Sequence, residues 1–131
     1  MRKDIEIPKV KNVYIAVVQE YNEDHKTNDW NAYLINDKEV AIEMVLILSG
    51  GYTADKITPN LRKKIEILPP KSYAKIEYMT DEVLALNNQF QVTFFENNKM
   101  YDKLYTFPKN SINKNAFRDI PLMNCRGVLV K

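Results

Sequence analysis

The sequence predicts an all-β protein, a single antiparallel β-sandwich spanning residues 1–131 with one short helical turn. Three observations carry this. Residues 61–68 and 71–78 alternate apolar and polar side chains on either side of Pro69-Pro70, and a period of two marks strands with one buried and one wet face. Similar runs, rich in β-branched and aromatic residues, recur along most of the chain. A length of 131 residues, 45% hydrophobic and 27% charged, suits one domain around one core.

The first strand runs over residues 12–21. Val13, Ile15 and Val17 share one face and Tyr14, Ala16 and Val18 the other; two apolar faces predict a central or covered strand. Residues 22–28 are polar and read as a loop. Residues 30–36 form the second strand, residues 36–39 a turn, and residues 40–49 a third, aliphatic strand. Gly50-Gly51 is expected to end it, since glycine adopts backbone angles that other residues avoid. A polar connection over residues 52–60 closes on Thr58-Pro59. Proline donates no backbone hydrogen bond, so Pro69-Pro70 belongs at a sheet edge or at a crossing from sheet to sheet. Beyond Met79, Thr80 suits a helix N-cap, and Asp81 and Glu82 suit the positive end of a helix. One or two helical turns are expected there.

Residues 90–95 and 100–107 flank Glu96-Asn-Asn-Lys99. Asparagine tolerates the left-handed angles that tight hairpin turns need. Pairing Phe95 with Met100 sets Phe94 opposite Tyr101 and Phe90 opposite Tyr105, with Val92 and Lys103 between them. Gln91, Thr93, Asp102 and Thr106 then share the other face, and a slip of one residue would mix the two. Residues 128–130 are a candidate last strand. Seven or so strands, a Pro-Pro turn before a middle strand and a helical crossover before the late hairpin follow the order of immunoglobulin-like domains. A small barrel is the alternative. The expected core comprises Val13, Ile15, Val17, Trp30, Leu34, Ile42, Leu46, Ile65, Ile67, Ala74, Ile76, Phe90, Val92 and Phe94.

Chemistry is sparse. The net charge of +2 is too small to argue for nucleic acid by itself. Arg62, Lys63 and Lys64, with Lys71 and Lys75 beyond the corner, form the densest basic cluster, a candidate phosphate-contacting patch or a solvated strand face. His25 lies beside Glu23 and Asp24, but no second histidine exists to complete a ligand set. Glu20, Glu23, Asp24 and Asp29 lack EF-hand spacing. No Gly-x-Ser-x-Gly elbow, Gly-x-Gly-x-x-Gly turn or Walker loop occurs. Accordingly no catalytic residue, cofactor or metal is assigned, and an enzyme is not expected. Cys125, the only cysteine, is expected to be a small buried residue. The N-terminal residues lack the apolar stretch of a secretory signal, and no run is long enough to span a bilayer. A cytoplasmic location without a membrane partner is the default.

Asp4-Ile-Glu-Ile-Pro8, Trp30-Asn-Ala-Tyr-Leu-Ile-Asn36, Glu43-Met-Val-Leu-Ile47, Leu68-Pro-Pro-Lys-Ser-Tyr-Ala-Lys-Ile-Glu77 and Asn98-Lys-Met100 resemble a family of short bacterial proteins that often carry the label phenylalanyl-tRNA synthetase subunit. The resemblance spans most of the chain, and its motifs describe a fold rather than a site. It implies an accessory domain associated with that synthetase or with tRNA. The four arginines, Arg2, Arg62, Arg118 and Arg126, sit in no ATP-gripping Arg-x-Glu motif, so no residue carries over as catalytic. The leading expectation is a non-catalytic cytoplasmic binding or protein-interaction module. Its partner would be another protein or a second copy, met at a sheet edge or on the second apolar face of residues 14–18, with weak or no nucleic-acid binding.

Overall fold

Strands that alternate with a period of two can each bury one face, and two such sheets then pack face to face. The computed structural model describes residues 9–53 and 61–131; the N-terminal eight residues and the Thr58-Pro59 end of the polar connection lie outside these. The strands are β1 (Val13–Asn22), β2 (Thr27–Asn36), β3 (Ile42–Tyr52), β4 (Leu61–Leu68), β5 (Ser72–Met79), β6 (Asn87–Glu96), β7 (Lys99–Phe107), β8 (Arg118–Ile120) and β9 (Cys125–Val130), with helix α1 (Asp81–Leu84) before β6. They form two antiparallel sheets, ordered β5-β2-β1-β9-β8 and β4-β3-β6-β7, that close as a sandwich.

Strand β1 is apolar on both faces because both are covered. Val13, Ile15 and Val17 enter the core between the sheets, while Ala16 and Val18 pack with Ile35 and Ile120 on the outer side of the first sheet. Met123 and Leu129 complete that second cluster. On the outer face of residues 14–18, Ala16 and Val18 are thus buried under side chains that include Ile120 and Met123 of the chain's own tail. The tail reaches it because Gly127 lies opposite Val18. A Cβ at 127 would stand 2.6 Å from the Val17 carbonyl oxygen and 2.8 Å from Val18 Cγ1. Gly127→Ala should therefore destabilise by about 1–3 kcal/mol, the usual range for overpacking. A urea melt with an unchanged midpoint would show that β9 shifts freely.

Pro69-Pro70 marks the crossing from β4, an edge of one sheet, to β5, an edge of the other. Neither ladder loses a donor there. Asn36, fully buried, fastens this corner: its Nδ2 donates to the carbonyl oxygens of Val40 (3.0 Å), Leu68 (3.1 Å) and Pro69 (2.9 Å), and its Oδ1 accepts from the Lys38 N–H at 3.1 Å. The return crossing is α1. Thr80 Oγ1 accepts from the Val83 N–H at 3.3 Å, and Asp81 and Glu82 lie in the first turn, as a capped helix start requires.

The β6–β7 hairpin has the register expected from its faces: Phe95 opposite Met100, Phe94 opposite Tyr101, Phe90 opposite Tyr105. Asn97 and Asn98 have φ of 50° and 63°, the two left-handed positions of a type I′ turn. Phe90, Val92, Phe94 and Tyr105 are buried, and the Tyr105 hydroxyl donates to the Val13 carbonyl of the opposite sheet at 2.6 Å.

Two bulges reset the alternation. Met44 takes φ of 49°, and the β3–β6 register shifts between Glu43 and Leu46. The inward phase passes from Ile42 to Val45 and Ile47, so Leu46 turns outward and is only half-buried. On β4 the inward partners are Leu68 and Ile65, which leaves Ile67 58% exposed. Leu46 and Ile67 are thus not core residues. Trp30, Ile65, Ala74 and Ile76 are half-buried against the core, and the rest of the expected set is buried. Strand β3 also runs on through Gly50-Gly51 to Tyr52, because β6 begins at Asn87 and supplies partners for both glycines. No described glycine has positive φ. Strand β8, three residues long, is too short for a period to be read.

The second bulge lies in β5, where Ala32 faces Glu77 but Tyr33 faces Lys75. Glu77 turns toward the interior and accepts from Ser49 Oγ of the other sheet at 2.5 Å. Burial raises its carboxyl above the ordinary 4.5, and the Ser49 hydrogen bond partly opposes that. A carboxyl raised on folding contributes stability that is full below its unfolded pKa and lost as pH rises through its folded value. Glu77→Gln keeps an acceptor for Ser49 without the charge. It should be more stable than the parent at neutral pH and lose the parent's decline above pH 4.5. Chemical denaturation at two pH values checks this, and equal pH slopes would count against it.

Candidate interaction surface

A sheet edge exposes unpaired backbone N–H and C=O groups. The edges here are β5 and β8 in the first sheet and β4 and β7 in the second. β8 is short and β5 is bent by its bulge, whereas β4 and β7 extend over eight and nine residues. Beside β4 the Met44 bulge opens a groove of about 620 Å³ whose lining includes Met44, Leu46, Lys64, Ile65 and Ile67. Met44 is 70% exposed, and Leu61 at the start of the same strand is 55% exposed. Isolated exposed apolar residues are ordinary, but here Met44 and Ile67 line one groove beside the edge. The alternation of β4 assigns Ile67 to the interior. The trace of the phase change is the adjacent pair Ile67-Leu68, since neighbours in a strand cannot both face inward.

The five basic residues singled out from the sequence do not form one patch. Arg62 lies opposite Leu48 and Lys64 opposite Leu46, on the outer face of the second sheet. Lys63 lies opposite Ile47 in the inward register, yet remains exposed at the open edge. Lys71, at the corner, pairs with Asp37 at 3.0 Å and Glu39 at 3.3 Å. The Asp37 hydrogen bond, then Glu39, raise its pKa. Lys75 lies opposite Tyr33, on the outer face of the first sheet.

That outer face carries a polar cluster. Glu20 Oε1 accepts from Asn31 Nδ2 at 2.7 Å and from the Tyr33 hydroxyl at 2.8 Å. Partial burial, then Glu20, push the Tyr33 hydroxyl well above its usual range. Cys125 is exposed rather than buried, because β9 meets β8 and the outer surface at its first residue. Desolvation and then the Glu20 charge raise its thiol, which therefore stays protonated and weakly nucleophilic at neutral pH. Lys75 lines a cleft of about 410 Å³ with Asn22, His25, Thr27, Asp29 and Tyr78. Hydrogen bonds from Asn22 (2.9 Å) and Thr27 (2.8 Å) hold the Asp29 carboxyl low. Asn22 Oδ1 accepts from the backbone N–H of Asp24 and His25, so the acidic loop around His25 is the turn of the β1–β2 hairpin. Among the described residues no three His, Cys, Asp or Glu side chains come together as a metal site, and no helix is long and apolar enough to cross a membrane.

No family model matches the chain, and no curated protein or solved structure matches it either.

Proposed function

We propose that this protein is a non-catalytic, cytoplasmic interaction module that takes a protein partner along the β4 edge. The observation that carries the reading is the Met44 bulge, which turns Met44 and Ile67 outward beside an eight-residue edge strand. Such an edge offers backbone hydrogen bonds for affinity, and the adjoining groove offers side-chain selectivity, the two ingredients of strand addition.

An immunoglobulin-like description of the scaffold is supported by strand order. Taking β1, β2 and β5 as A, B and E, and β4, β3, β6 and β7 as C′, C, F and G, reproduces the neighbours of that architecture, with β9 and β8 added beyond β1. One observation favours the second reading, an accessory domain of phenylalanyl-tRNA synthetase or tRNA: Arg62, Lys63 and Lys64 are exposed on the same edge strand.

A photo-crosslinking side chain at Ile67, used in the native cell, tests both readings. Protein adducts from Ile67 that disappear with Met44→Asp are expected, with few from a control position at Tyr78. Equal yields at the two positions would sink the edge reading. RNA adducts confined to Ile67 would favour the second reading over the first.

A further inference from the structure

In a two-fold antiparallel pairing of one strand with its own copy, opposed side chains share a face, so odd-numbered residues oppose odd-numbered ones. The pairing is therefore centred on a residue. For β4, centring on Lys64 sets that lysine against itself between two Arg62–Glu66 pairs, and centring on Lys63 sets Lys63 against itself and Arg62 against Lys64. Centring on Glu66 opposes two carboxylates. Centring on Ile65 sets Ile65 against Ile65 and Lys64 against Glu66 twice over, all on the side of the phase change where the alternation of β4 still holds. Directly opposed unlike charges stabilise a ladder and like charges destabilise it. Only this register combines apolar contact at the axis with charge complementarity on both sides.

The other long edge lacks this property. On β7, Asp102 is even-numbered and Lys99 and Lys103 are odd, so no two-fold register brings them opposite. β5 carries a similar triplet, Lys75-Ile76-Glu77, but its bulge withdraws Glu77 from the edge onto Ser49.

Resting on the interaction reading above, we propose that the occupant of the β4 edge is a second copy of this chain, paired antiparallel through β4 with Ile65 at the two-fold axis. The two four-stranded sheets then join into one. The pairing spans residues 62–68 of each copy and lies near the lower limit of about 1,000 Å² for specific interfaces, so a dimer of micromolar affinity is expected.

Sedimentation of the full chain from micromolar to millimolar concentration reads the dimer directly. Lys64→Glu and Glu66→Lys should each weaken it by about tenfold, since each turns two favourable pairs into repulsive ones. The double variant Lys64→Glu/Glu66→Lys should restore it. With Cys125→Ser to remove the native thiol, Ile65→Cys should form an interchain disulfide on mild oxidation, and Lys64→Cys should not. A monomer at millimolar concentration, or a dimer indifferent to both single charge reversals, would overturn the inference. In either case Ile67 adducts to a different protein would leave the interaction reading standing, and their absence would remove both.

Discussion

Asn36→Asp should destabilise the protein by about 3–5 kcal/mol, the range for an uncompensated buried charge. The two side chains have nearly the same shape, so the effect isolates the amide's donors. Asn36 is fully buried and gives its Nδ2 protons to three carbonyl oxygens, those of Val40, Leu68 and Pro69. A carboxylate there faces three acceptors and donates to none. Protonation would relieve the clash, so the variant should recover stability as pH falls, whereas a loss of packing alone would not titrate. Asn36→Ala removes the repulsion but leaves the carbonyls short of a donor, and about 2–3 kcal/mol is expected. Denaturation at pH 5 and pH 8 separates the cases. An Asn36→Asp variant within 1 kcal/mol of the parent at pH 8 would mean that the corner does not depend on this amide.

Phe94→Ala should cost about 3–5 kcal/mol, while its neighbour Thr93→Ala should cost less than one. Phe94 is 1% exposed and stacks on Tyr101 with ring centroids 5.1 Å apart. Thr93 faces outward, where its hydroxyl donates to Asp102 Oδ1 at 3.0 Å near solvent. One residue of slip in the β6–β7 register would exchange the two roles. Paired urea melts of the two variants therefore test the register, and effects of similar size would refute it.

That register was legible because it rests on local pattern: the Asn97-Asn98 turn sets the loop, and the aromatic and polar faces of β6 and β7 leave one alignment that keeps them apart. The Thr80 cap, the crossing at Pro69-Pro70 and the two-faced character of β1 were legible for the same reason. Each depends on the chemistry of a residue or its immediate neighbours: an oxygen that accepts at a helix start, a missing N–H, apolar side chains on successive positions.

The features that shape the candidate surface are of another kind. Met44 has no propensity for left-handed angles; it adopts them because β3 must pair with β6 on one side and β4 on the other, and one extra residue has to be absorbed. The same bulge exposes Ile67, which strict alternation assigns to the core. The basic cluster was visible in the chain, but its division was not: Pro69-Pro70 sends β4 and β5 to different sheets, so Lys75 leaves the company of Arg62, Lys63 and Lys64, while Asp37 and Glu39, brought in by the β2–β3 turn, engage Lys71. Gly50-Gly51 stays in the ladder only because β6 is long enough to pair with it. Alternation within a strand is a property of the backbone and can be read from neighbouring residues. Which strand lies beside it, where the count between them fails, and which edge is left open are properties of pairs distant in sequence, and folding decides them.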